Sequence, residues 1–240
     1  MAFGFSAANS SGTVTISTEW DLLKFAGKGS TYSHALLKNH VYPNGLTIRY
    51  YFTEIDSPAM PNGEYPTVFF HIPTGSNAAM ASIESIPGGK WRVKFFSFYD
   101  IVPEVYFFYK TTKGQSSDYY GMRLSGDDQR IIFDSGWDYK DLLSVKEVKS
   151  ITANAGNYID IASSISKPAV TFRSSYGHHV KSTYDEWFFL LGLQRNSFRY
   201  TLTEIACQWH STNHQIGPGE TYYYDGVSRS VPIIDGSMYD

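Results

Sequence analysis

The sequence predicts an all-β protein, an antiparallel β-sandwich-like fold built from two related units, and three observations carry that prediction. Short apolar/polar alternations recur along the 240 residues, as expected of strands with one buried face. Turn-forming residues separate them at regular intervals, which favours antiparallel sandwiches over a parallel α/β sheet. A hairpin-like pattern also occurs twice, 117 residues apart.

The first copy of that pattern reads Phe3-Gly4-Phe5, Asn9-Ser10-Ser11-Gly12, Val14-Thr15-Ile16-Ser17 and Trp20-Asp21. The second reads Tyr120-Gly121-Met122, Gly126-Asp127-Asp128-Gln129, Ile131-Ile132-Phe133-Asp134 and Trp137-Asp138. The two align without a gap from aromatic-Gly to Trp-Asp and continue to a leucine pair, Leu22-Leu23 and Leu142-Leu143, with three extra residues in the second copy. Glycine after an aromatic lets a neighbouring backbone or ring approach closely. Strand, polar turn and strand then make a hairpin, ended by a Trp that covers the open end of the core.

The remaining elements follow in chain order. Glu19 to Phe25 has the length of one or two helical turns. Leu46, Ile48 and Tyr50 alternate with Thr47 and Arg49, and Val68 to Ile72 reads as a strand entered through Pro66. Trp91, Val93 and Phe95 make the next alternation, and Val105, Phe107 and Tyr109 the one after. Asp138 to Val148 fits helix or strand. Ala169 to Phe172 is a strand entered through Pro168, Tyr184 to Leu193 a buried strand or short helix, and Phe198 to Glu204 an alternating strand. Pro43-Asn44-Gly45, Pro61-Asn62-Gly63, Pro87-Gly88-Gly89, Gly217-Pro218-Gly219 and Asp225-Gly226 are turns, where Gly supplies positive φ and Pro presets the first position. The polar stretch Thr111 to Asp118 divides the chain into units 1–112 and 113–240. If the units are half-sandwiches sharing one core, that stretch is a crossing between sheets instead.

Composition narrows the function. Hydrophobic residues make up 42% and charged residues 18%, with 19 Tyr and 16 Phe, which describes a folded chain. A chain of this size buries roughly 70–75% of its unfolded surface. Its exterior falls to Ser, Thr, Asn, Gly and Tyr, a mixture suited to packed assemblies and to sugar or protein contacts. A net charge of -3 with scattered Lys and Arg argues against a nucleic-acid partner. The single Cys207 rules out an internal disulfide. No membrane span is expected, because the longest apolar run, Trp187 to Leu193, falls far short of the roughly 18 residues required. Met1-Ala2-Phe3-Gly4 lacks the basic and apolar regions of a signal peptide.

The search for chemistry yields weak candidates. Cys207, His210 and His214 have zinc-compatible spacing, and His178-His179 adds two imidazoles, but neither a fourth ligand nor a second knuckle is visible. The expected reading is a buried cysteine with loop histidines and no cofactor, with metal binding by Cys207, His210 and His214 left open. A Cys207–His210 nucleophile pair lacks any sign of a lowered thiol pKa. Asp127, Asp128 and Glu186 are carboxylates of the kind a glycosidase needs, with nothing in the sequence to fix their separation. The run Tyr222-Tyr223-Tyr224 is a candidate contact patch, because neighbouring strand residues point to opposite faces. Trp20 and Trp137 join it as possible interface residues. The tail Val231 to Asp240 carries apolar residues with no evident partner and is expected to dock on a neighbouring subunit.

The stretch Tyr119-Tyr120-Gly121-Met122-Arg123-Leu124, the polar turn after it and Ile131-Ile132-Phe133-Asp134-Ser135-Gly136 resemble a Tyr-Gly-Leu-x-Val…Phe-Asp-Ser pattern of tail-associated proteins in tailed bacteriophages. In those proteins, too, the pattern follows a strand ending in aromatics, as Val105 to Tyr109 does here. The opening Phe3-Gly4-Phe5 is similar to how they begin, although Ser17 and Glu19 replace the Asp and Gly of the pattern. The resemblance implies a non-enzymatic virion protein of the tail tip, fibre or other tail component, made in the host cytoplasm. Its partners would be other tail proteins and further copies of itself. A host-surface carbohydrate-binding module is the alternative, and a glycan-degrading enzyme a weaker one.

Overall fold

The computed structural model describes residues 4–9, 12–17, 23–41, 47–110, 123–125, 131–134, 142–181, 185–211, 219–222 and 227–240. Among these, the only helical elements are two short 3₁₀ turns, Pro61–Gly63 and Gly236–Tyr239. A six-stranded sheet runs β12 (Val145–Thr152), β19 (Ser228–Asp235), β14 (Pro168–Val170), β6 (Thr67–His71), β9 (Glu104–Lys110) and β3 (Leu23–Lys28). A nine-stranded sheet runs β13 (Tyr158–Asp160), β17 (Arg199–Ser211), β16 (Asp185–Asn196), β7 (Asn77–Ile86), β8 (Lys90–Ser97), β5 (Thr47–Asp56) and β4 (Ser30–Val41). On it β15 (Ser175–Lys181) pairs with β16 and with β18 (Gly219–Tyr222). The fold is thus an all-β, antiparallel sandwich, as the alternation required. The helical option at Glu19 to Phe25 gives way to strand from Leu23 onward, and Val145 and Asp185 both open strands.

Both copies of the repeated pattern are hairpins. β1 (Gly4–Asn9) pairs with β2 (Gly12–Ser17), closed by Asn9 opposite Gly12. β10 (Arg123–Ser125) pairs with β11 (Ile131–Asp134). Each forms a two-stranded sheet of its own, apart from the two large sheets.

Residues 1–112 and 113–240 do not each close a sandwich. Both large sheets take strands from both halves, and one core joins them. Each half leaves an open strand edge that the other half fills: β6 meets β14 at Phe70 and Val170, and β7 meets β16 at Ala78 and Leu193. The halves are therefore half-sandwiches, and they repeat one strand order. Read inward from either end, the six-stranded sheet presents the half's first strand after its hairpin, then its last, then a middle one: β3-β9-β6 and β12-β19-β14. The leucine pairs that end the two copies also meet, since Leu143 N donates to Leu23 O at 2.8 Å and Lys24 bridges Leu142.

Between the sheets lie Phe70, Phe107, Val170 and Ile233 from one layer and Ile55, Phe95, Leu193 and Leu202 from the other. Phe70 and Phe95 meet edge to face at 5.2 Å across that core. Each such ring contributes about 2–3 kcal/mol by leaving water. The opposite side of the six-stranded sheet is also dry. There Phe69, Tyr106, Phe108 and Ile234 enclose Tyr239. The tail Val231 to Asp240 thus docks on its own chain rather than on a neighbour, because β19 is an inner strand and Tyr239 fills the aromatic cluster beside it. On the outer side of the nine-stranded sheet, Tyr50, Phe96 and Phe98 are covered by Trp187, Phe189 and Ala206 from the outer parts of β16 and β17.

Candidate assembly surface

β4 is the outermost strand of the larger sheet, and it pairs with β5 along its full length. The register slips twice, between Thr31 and Ser33 and between Leu36 and Lys38, which leaves Tyr32 and Leu37 as bulge residues. Bulges are one way a protein blunts an open edge. Here they do not hide it. Ala35, Leu36 and Leu37 are all exposed, Leu36 by 47% and Leu37 by 49%. A run of three exposed apolar residues on a long edge strand marks an interaction surface or an aggregation hazard.

Ring and polar contacts surround β4. Tyr32 lies under the Arg92 guanidinium, 3.4 Å from ring centroid to Cζ. Arg92 is in turn held in a fork by Asp56 at 2.7 and 3.0 Å. On the same strand His34 stacks on Tyr51 at 5.7 Å. Its Nε2 lies 2.7 Å from Asp100 Oδ1 and its Nδ1 2.8 Å from Thr53 Oγ1. A carboxylate can only accept, so Nε2 carries the proton, while the Thr53 hydroxyl, which also has Ile101 O at 3.5 Å, can meet Nδ1 as donor or as acceptor. Hydroxyl, imidazole and carboxylate in line have the composition of a hydrolytic triad. Thr53 is only 2% exposed, however, so no substrate reaches its oxygen. The relay pins the loop carrying Tyr99, Asp100 and Ile101 against β4 and β5. Sequence reading missed it because the three residues lie far apart in the chain and meet only through β4–β5 pairing and the loop after β8.

A second polar cluster sits where the halves join. His71 Nδ1 donates to Pro168 O at 2.8 Å, Arg195 Nη1 lies over the His71 ring, 3.0 Å from Nε2 and 3.3 Å from Nδ1, and donates to Ile72 O at 2.9 Å, and Tyr200 donates to Pro168 O at 2.8 Å. Burial pushes the His71 pKa down, and the Arg195 charge adds to it against the Pro168 hydrogen bond. A neutral imidazole keeps a second positive charge away from the Arg195 guanidinium packed on its face, while Ile72 O accepts from Arg195, which makes this a structural lock.

Trp20, Trp137, Tyr223 and Tyr224 lie outside the described residues, as do His214, Asp127 and Asp128. Tyr222 ends β18, opposite His178 of β15. His178, His179 and His210 lie on strands rather than in loops. Extended backbone rises about 3.3 Å per residue, so Cys207 and His210 lie about 10 Å apart along β17 instead of converging. Among the described residues no group of three His, Cys, Asp or Glu side chains could hold a metal ion. The Cys207 thiol donates to Phe188 O at 3.3 Å, and burial pushes its pKa up to about 11, the opposite of an activated nucleophile. It faces a pocket of about 320 Å³ lined in part by Ala81, Phe96, Leu190 and Arg173. Glu186 is engaged by Lys181 at 3.6 Å.

Comparison with protein-family models, curated proteins and solved structures finds no match to this chain. The geometry of β4 and its surroundings therefore carries the functional argument.

Proposed function

We propose that this chain is a non-enzymatic assembly protein of a bacteriophage tail, acting by burial of its β4 edge against a neighbouring subunit. The observation that carries assembly is the exposed Ala35-Leu36-Leu37 run on a 12-residue edge strand. An edge of this kind gains backbone hydrogen bonds from an added strand and apolar burial from its side chains. Support for the tail comes from the Tyr119 to Gly136 resemblance, and for partners in the plural from the Tyr-rich, weakly charged composition.

Immunogold labelling of purified particles of the source virus tests the placement. Label concentrated at the tail is expected. Well-preserved particles with no label, and with no peptide of this chain in their proteome, would sink the virion reading.

A second reading, binding to a host-surface glycan, is favoured by the exposed rings of Tyr65 and Tyr158, at 57% and 53%. Tyr65 is braced edge-on by Trp91 at 4.9 Å, and Tyr158 is backed by Arg199 at 3.8 Å. Both are thus presented as fixed stacking platforms. Saturable binding to host cells that Tyr65→Ala or Tyr158→Ala abolishes would establish this reading. No binding above background would remove it.

A further inference from the structure

We infer that the strand covering the β4 edge is the β1–β2 hairpin of a second copy of this chain. The inference rests on the assembly reading above and names its partner. Two needs on the molecule are complementary. Among the described residues, β1 and β2 pair with each other and with neither large sheet, and a lone two-stranded hairpin is at best marginally stable in water without a third strand or a packed face. β4 offers such an edge, and with its two bulges it spans the 10 residues of β5, about 33 Å, against about 20 Å for each six-residue hairpin strand.

The chemistry also matches. Gly4–Asn9 and Gly12–Ser17 contain no charged residue, and their register sets Phe5 opposite Ile16 and Ala7 opposite Val14. Docking such strands beside Ala35, Leu36 and Leu37 buries apolar surface and brings no charge of the hairpin's own to that edge. The β10–β11 hairpin fits less well, because it carries Arg123 and Asp134. Five residues separate Ser17 from Leu23, so the chain length alone limits the hairpin to within about 20 Å of β3.

Light scattering, hydrogen exchange and disulfide trapping on the full chain test this together. In a Cys207→Ser background, Leu37→Cys is mixed with chains carrying a single cysteine in place of Thr13, Val14, Thr15 or Ile16. We expect an oligomer, an inter-chain disulfide from at least one mixture, and exchange of the 12–17 amides that accelerates about tenfold or more when Leu37→Lys blocks the edge. If the chain is an oligomer that Leu37→Lys dissociates, yet no cysteine in 13–16 traps position 37 of another chain and the 12–17 amides are unaffected, this inference fails and the assembly reading stands. A trapped disulfide found only within one chain, from a double-cysteine variant, also overturns it. A chain that is monomeric at every concentration overturns both.

Discussion

Asp235 ends β19, and its carboxylate ties the 166–167 segment to the turn that follows β19. It accepts from the backbone N–H of Lys167 at 3.0 Å, of Ser166 at 3.2 Å and of Ser237 at 3.2 Å, and from the Ser237 hydroxyl at 2.8 Å. Burial by itself would raise its pKa, but the bonds from Ser237, Lys167 and Ser166 outweigh that and hold it below the usual carboxylate range. The sign follows from linkage: stabilisation is complete above the unfolded-state value of about 3.9 and is lost as pH falls through the lower folded-state value. We expect Asp235→Ala to cost about 2–3 kcal/mol at neutral pH, and much less at acid pH, where the wild-type carboxyl is itself protonated. Urea melts at the two pH values check this. An equal loss at both would show that the charge is not what the site uses. None of this was legible in the sequence, where Asp235 was one residue of a tail assigned to a neighbour. The Ser237 contact is a local turn, but Ser166 and Lys167 are nearly seventy residues away and reach Asp235 only through the fold.

At the scale of strands, the junction of the halves shows why a glycine sits inside a buried run. Gly192 lies on β16 where β7 comes alongside, and a Cβ there would stand 2.7 Å from Ala78 O and 2.8 Å from Ala79 Cβ. We expect Gly192→Ala to destabilise by about 1–3 kcal/mol through overpacking, seen as a lower midpoint in thermal melting. An unchanged midpoint would mean that β7 can move away at no cost. On the free edge, Leu36→Lys and Leu37→Lys are expected to leave the monomer's stability within about 0.5 kcal/mol, as exposed positions do, while removing self-association. The strands themselves were readable from alternation at Trp91 to Phe95 and Val105 to Tyr109. β4 was not, since Ser30 to Val41 has two bulges that break the period of two. Short apolar runs such as Tyr184 to Leu193 were undecidable, because a strand buried on both faces has no alternation to read.

For the whole molecule, the repeated hairpins, the mirrored strand order and the meeting of Leu23 with Leu143 describe one unit used twice around a shared core. The repeat was visible in sequence, but the sharing was not, because the β6–β14 and β7–β16 contacts leave no local signature. The His71–Arg195 cluster ties the same junction with buried polar groups, which gain their partners only when both halves are present. We expect residues 1–112 and 113–240, produced separately, to remain unfolded, and to gain strand content when mixed. Circular dichroism of each fragment and of the mixture reports this, and a fragment with a cooperative melt of its own would refute it.

Assembly through the β4 edge is the central proposal. Light scattering on the full chain and on Leu37→Lys, each over a range of concentrations, tests that most directly. We expect an oligomer that forms with increasing concentration in the native chain and a folded monomer for Leu37→Lys. A native chain that remains monomeric, or a Leu37→Lys chain that associates as well as the native one, would contradict it.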